Sequence, residues 1–167
     1  MIALVGRAWK FGDNISTDEI SPGRYMSLRS NLPELAKHTL EDARKDFPVQ
    51  AKTGDFVVAA KNFGMGSSRE QAPLVIKMCG VQAVLAQSFA RIFYRNAINI
   101  GLPAIICDTN QIAEGDDLDL DLSQSKIIDV TKGIALNFPR MSKTMEAILK
   151  EGGLLAYVEK YGDLLLA

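Results

Sequence analysis

The sequence predicts an α/β fold, a three-layer βαβ core with additional short β-strands, and three observations carry that expectation. Short apolar runs at residues 55–60, 81–86 and 102–107 read as buried strands. Helical patterns at residues 74–79 and 89–100 fall between them, and strand–helix alternation of this kind marks parallel βαβ packing. Further on the period changes. Residues 117–122 alternate charged and apolar side chains, and residues 127–130 and 134–138 flank Lys132-Gly133 at hairpin spacing, so short strands with one wet face are expected.

The remaining elements follow in chain order. Residues 3–11 read as a first strand, ended by Gly12 and the polar run Asp13, Asn14, Ser16, Thr17, Asp18 and Glu19, which is turn chemistry. Residues 22–31 have no regular pattern. Pro33 opens a helical stretch over residues 34–44, with Leu35, Ala36, Thr39, Leu40 and Ala43 on one face. Residues 142–150 form an amphipathic helix that stops at Gly152-Gly153, and residues 154–161 a further short helix. With no repeat or low-complexity linker, 167 residues of which 47% are apolar predict one domain spanning 1–167.

Composition narrows the function. Nineteen basic and twenty acidic side chains give a net charge of -1, so no broad positive field exists for a nucleic acid backbone or an anionic membrane. No segment approaches the roughly twenty apolar residues of a membrane span, and residues 1–10 lack a basic stretch followed by an apolar run, so a cytoplasmic location is expected. Cys79 and Cys107 lie in apolar surroundings and read as reduced, buried thiols. Two cysteines and a single histidine, His38, cannot supply an iron–sulfur cluster or a typical zinc shell, so any such metal is expected on another chain.

The densest functional signal is Asn62-Phe63-Gly64-Met65-Gly66-Ser67-Ser68-Arg69-Glu70, between a buried strand and a helix, where open α/β sheets place their ligands. Gly64 and Gly66 allow a sharp turn and a close backbone approach, and Arg69 adds a fork of donors that suits a carboxylate. The same residues also fit a capping box in which Ser67 and Glu70 bond to backbone amides and no ligand is involved. On spacing alone the box is slightly favoured, although Pro73 then requires regular turns to begin near Ala72 or Pro73. Elsewhere the plain readings hold. Residues 12–22 are an ordered turn, and Arg91 and Arg95 are surface ion-pairing residues beside buried apolar neighbours. His38 is a partly exposed helix residue, and Glu114, Asp116, Asp117, Asp119 and Asp121 are a solvated strand face.

Three segments change this balance when taken in order. They are Phe11-Gly12-Asp13 with Thr17-Asp18-Glu19-Ile20 and Pro22, then Asn62 through Glu70, then Ser88-Phe89-Ala90-Arg91-Ile92-Phe93-Tyr94-Arg95-Asn96. Together they resemble the swivel domain of the aconitase superfamily, over residues 6–161, with the nearest likeness to small subunits of isopropylmalate isomerase and homoaconitase. Three ordered motifs are far more specific than one.

The resemblance implies a two-chain hydro-lyase that removes and restores water on a 2-hydroxy acid. It implies a [4Fe-4S] cluster on a large partner subunit, in a heterodimer or heterotetramer, with no cofactor bound by this chain. It makes Ser67 the catalytic base, acting as an alkoxide, and Ser68 and Arg69 ligands of a substrate carboxylate. It sets the segment after Pro22 beside the variable substituent, where Met26 and Leu28 suit an isopropyl group and Arg29 a third carboxylate. Isopropylmalate is the substrate expected first, homoaconitate second. A non-catalytic carboxylate-binding module is the alternative from another class.

Overall fold

The computed structural model describes residues 5–162, so the part of the first strand expected at residues 3–4 lies outside the described residues. Strands β1 (Val5–Lys10), β2 (Phe56–Val58), β3 (Ala83–Ala86) and β4 (Ala104–Ile106) run parallel in the spatial order β4-β3-β2-β1. Ala8 stands opposite Phe56, Phe56 opposite Ala83, and Val84 opposite Ala104. From the far side of β1 the sheet continues antiparallel through β5 (Asp117–Asp121), β6 (Lys126–Asp129) and β7 (Ile134–Asn137), which makes seven strands.

Seven helices complete the described residues: α1 (Thr17–Ile20), α2 (Leu32–Ala36), α3 (Phe47–Gln50), α4 (Gln71–Met78), α5 (Arg91–Asn99), α6 (Lys143–Lys150) and α7 (Leu154–Tyr161). One core cluster joins Trp9, Val57 and Val84 to helical residues such as Ile76, Phe93, Ile148 and Tyr157. A second joins Phe56, Val58 and Leu85 to Leu118, Ile127 and Leu136 of the antiparallel strands. Successive strand residues face opposite ways. The helices therefore cover one face of the parallel strands, and the curled antiparallel strands cover the other. Those are the three layers, and they explain why β2 and β3 are continuous apolar runs: both faces are buried.

Local structure departs from expectation where a tertiary bond overrides a local pattern. The helix expected over residues 34–44 ends at Ala36, capped at its start by Asn31 and with Pro33 in its first turn. Leu40 is left-handed, with φ 57°, and its amide donates to the Ile20 carbonyl at 3.0 Å instead of to a helical neighbour. His38 consequently sits in a turn and not in a helix, stacked on Tyr25 with ring centroids 3.7 Å apart. The segment expected to be an ordered turn contains α1, closed by a true capping box between Ser16 and Glu19. Residues without a regular pattern include the 3-10 helix Gly23–Leu28. Pro73 is the third residue of α4, among the amides that have no partner inside a helix, so it breaks nothing.

Candidate active site

The Gly-rich segment leaves β2 and is fixed on both sides by backbone hydrogen bonds. The Gly64 amide donates to Ile15 at 2.7 Å and the Thr17 amide to Met65 at 2.8 Å, which ties the segment to the first motif. The Phe63 amide donates to Ser88 at 3.1 Å and the Ala90 amide to Phe63 at 2.9 Å, which ties it to the third. The Thr17 hydroxyl then donates to the Ser67 carbonyl at 2.7 Å. Three stretches far apart in the chain thus form one structure.

Gly64 is required at its position. Its φ is +84°, and a Cβ there would lie 2.3 Å from Cγ of Phe93. That contact seats the loop on the first turns of α5. Gly66, at φ +100°, keeps the next turn open beside Thr17.

Arg69 is anchored through one nitrogen. Its Nη1 donates to Oδ1 of Asp18 at 2.9 Å and to the Ser21 carbonyl at 2.6 Å. Nη2 and Nε have no protein acceptor among the described residues, so part of the fork stays available to a ligand. The Asp18 oxygen also accepts the Gly23 amide at 2.9 Å, which sets the start of the 3-10 helix against the Arg69 guanidinium.

Ser67 and Ser68 are exposed, and neither hydroxyl makes a hydrogen bond among the described residues. The capping box expected between Ser67 and Glu70 is absent. Helix α4 begins at Gln71, so Glu70 itself is the N-cap, and its side chain makes no capping hydrogen bond. Thr17 and Arg69 hold the preceding residues out of helical register, and the two serines are left free.

A cavity of about 300 Å³ opens between this loop and α5. Gly64, Gly66, Ser67, Ser68 and Arg69 line it together with Thr17; Ala90, Arg91, Ile92, Phe93 and Asn96 line it from the helix. No acidic side chain is among them. The ion pairs expected of Arg91 and Arg95 are not formed: neither has a carboxylate partner among the described residues. Ile92, expected to be buried, is 52% exposed, whereas Phe93 is buried. Sequence reasoning missed Arg91 as a cavity residue. The available signal was an arginine in the first turn of the helix expected over residues 89–100, an unfavourable place for a cation.

Met26, Leu28 and Arg29 do not line this cavity. Met26 Sδ accepts from the Gln71 amide group at 3.1 Å, and Leu28 packs against the helix-side core. Arg29 is exposed and unpaired at the end of the 3-10 helix. Their segment is tethered by Arg24, which donates to Asp42 at 2.7 and 2.8 Å and to Glu41 at 2.7 Å. The Arg24 guanidinium holds the Asp42 carboxyl below the usual carboxylate range.

The acidic run is not uniformly a solvated face. Glu114 pairs with Arg7 and Arg44, and Asp116 turns inward to Lys132 at 3.1 Å, beside the buried Asp129. Burial pushes the Cys107 thiol up to about 12 and raises that of Cys79 as well, so neither is a ready thiolate ligand. Among the described residues no group of three or more His, Cys, Asp or Glu could hold a metal ion. No described helix is long and apolar enough to cross a membrane.

Residues 13–109 match the Aconitase C-terminal domain family, a stretch that holds the second and third motifs and the first from Asp13 onward. The chain is 60% identical to 3-isopropylmalate dehydratase small subunit 2 of Archaeoglobus fulgidus, over 96% of this chain and 98% of that one. It is 49% identical to the methanogen homoaconitase small subunit of Methanothermobacter thermautotrophicus, over 95% and 92%. A solved 3-isopropylmalate dehydratase chain from Methanocaldococcus jannaschii superposes with a TM-score of 0.91 at 46% identity, covering 96% of each chain. The overall fold is thus shared with a solved dehydratase chain, and this chain belongs to the Aconitase C-terminal domain family.

Proposed function

We propose that this chain is the small subunit of a two-chain 3-isopropylmalate dehydratase, a hydro-lyase that interconverts 2- and 3-isopropylmalate in leucine biosynthesis. The observation that carries the reading is the unbonded Ser67 hydroxyl at a cavity lined by two arginines and no carboxylate. A serine hydroxyl is a weak base in water. Nearby cations favour its ionised form, and exclusion of carboxylates removes the charge that would oppose it. Ser67 as alkoxide takes the proton from the carbon next to a carboxylate. The electron pair left behind forms the carbon–carbon double bond as hydroxide departs from the neighbouring carbon, and readdition of water at the other carbon completes the isomerisation.

Ser68 and the free part of the Arg69 fork hold the substrate carboxylate, with Asp18 and Ser21 fixing the fork's direction. Met26, Leu28 and Arg29 act on the variable substituent once the two chains close. The donor set among the described residues does not suit a cluster, so a [4Fe-4S] group would be held by the large partner and would supply Lewis acidity for loss of hydroxide. The chain acts as one swivel domain, 1–167, in the cytoplasm. Homoaconitate is the second substrate reading, favoured by the exposed, unpaired Arg29 and by the homoaconitase-named relative.

The test is anaerobic reconstitution with the large chain encoded by the same genome. The pair converts 2-isopropylmalate to 3-isopropylmalate through an unsaturated intermediate, followed by its ultraviolet absorbance, while the small chain alone is inert. A pair inert toward every 2-hydroxy di- and tricarboxylate, with a small chain that still binds carboxylates, would make this a binding module instead.

A further inference from the structure

Helices α1, α2 and α6 obey the electrostatics of a helix start. Each has a capping side chain, Ser16, Asn31 or Ser142, and at least one acid in its first turn. Helix α5 does neither; α3, α4 and α7 also do neither, but of these four α5 alone begins with a cation. Its N-cap is Ala90, its first turn holds no acid, and its first residue is Arg91, a cation at the positive end of the helix dipole.

No ion pair among the described residues compensates this charge. Arg7, Arg24, Arg44, Arg69 and Arg140 each pair with a carboxylate, whereas Arg91, like Arg29 and Arg95 outside the cavity, has none among the described residues. In the cavity wall Arg69 is offset by Asp18, and no carboxylate lines the cavity to offset Arg91. One uncompensated positive charge therefore remains, on the cavity wall opposed in sequence and element to the serine loop. Placement against local preference at a site that could take a ligand is the pattern of a residue kept for binding.

We infer that Arg91 holds the second carboxylate of the dianionic substrate from α5, while Ser68 and Arg69 hold the first from the loop. The assignment rests on the dehydratase reading and deepens it: this chain alone distinguishes a dicarboxylate from a monocarboxylate. It also gives the third motif a role, since Phe93 seats the loop and Arg91, two residues earlier, meets the substrate.

The experiment uses the reconstituted pair with wild-type, Arg91→Gln and Arg91→Lys small chains, and measures inhibition by isopropylsuccinate and by its two monoamides. Arg91→Gln weakens the diacid roughly 30-fold or more, as expected for a charge pair losing one member, and leaves one monoamide within about threefold. Arg91→Lys restores part of the loss, because it keeps the charge without the fork. The melting temperature of the Arg91→Gln chain stays level or rises, since a cation leaves a helix N-terminus. Equal losses for the diacid and both monoamides, no loss at all, or a destabilised variant with normal inhibition per folded molecule would each overturn the assignment. A wild-type pair with no turnover refutes the dehydratase reading itself. Arg91 is then judged by titrating 2-isopropylmalate into the small chain by NMR: binding weakened in Arg91→Gln sustains the assignment, and binding unchanged or absent overturns it.

Discussion

Thr17 and Ser67 are fifty residues apart and joined side chain to backbone, the Thr17 hydroxyl donating to the Ser67 carbonyl oxygen at 2.7 Å. Thr17 is buried, so the donor end of this bond is shielded from water. Thr17→Val keeps the volume and removes the donor. Stability should fall by about 1 kcal/mol, and turnover of the reconstituted pair by about tenfold or more, because a small displacement of a reacting group is costly. Denaturant midpoints beside kcat check this; a loss of stability with unchanged kcat would make the bond a strut only.

Ser67→Ala separates chemistry from folding cleanly here, since the hydroxyl has no bond to lose. The melting temperature should stay within the range of an ordinary surface change, about 0.5 kcal/mol, while kcat falls by orders of magnitude. Substrate binding measured by calorimetry should persist.

Gly64→Ala should be the most damaging single methyl in the loop. It forces a side chain into the left-handed region and against the Phe93 ring. The combined strain and overpacking amount to about 2 to 5 kcal/mol, read as a drop in the urea midpoint. Gly12→Ala meets no atom within 4 Å and serves as the control.

What the sequence discloses depends on whether the deciding contact is local. The apolar runs at residues 55–60, 81–86 and 102–107 contain β2, β3 and β4; β2 and β3 are covered on both faces and so have to be apolar throughout, while β4 at the edge leaves Ile106 exposed. The end of α2 is not legible, because Leu40 bonds to Ile20, a partner twenty residues earlier that no periodicity announces. The letters of a capping box stand at Ser16 to Glu19 and again at Ser67 to Glu70; of these two only the first becomes one, and tertiary bonds from Thr17 and Arg69 decide it. Ser67, Ser68 and Arg69 are readable as a cluster since they are adjacent in the chain. The unpaired state of Arg91 is a fact of space.

Asp129 provides the pH test. Burial first, and then the neighbouring Asp116, raise its carboxyl above the ordinary aspartate range. The unfolded chain therefore gives up this proton at lower pH than the folded one. Stability from Asp129 is fully present below the ordinary value and declines as pH rises toward the raised one. Asp129→Asn keeps an oxygen for the Lys132 amide, which Oδ1 accepts at 3.0 Å, and removes the ionisation. The variant should be at least as stable as wild type at neutral pH, with a flatter stability profile across the acid range. Denaturation midpoints from pH 4 upward measure it; a variant much weaker at pH 7 would show a charged Asp129.

Arg29→Ala distinguishes the two substrates. With an isopropyl substituent, kcat/KM should change by less than about threefold, the range of an exposed, unpaired residue. A substrate with a third carboxylate should lose roughly 2 to 5 kcal/mol of transition-state binding. A wild-type pair that prefers homoaconitate, and loses that preference in the variant, would reverse the choice of acid while leaving the reaction type intact.

The main-chain bonds from Gly64 to Ile15, Thr17 to Met65 and Ala90 to Phe63 are already made in the lone chain. Freezing one backbone residue costs about 1 to 2 kcal/mol, and for this loop the freezing belongs to folding, before any second chain arrives. A partner docking on this loop would meet a finished surface and lose no affinity to shaping it. Encounter between the two chains should behave as rigid-body association at the loop, with a rate set by diffusion and charge and not by a slow conformational step.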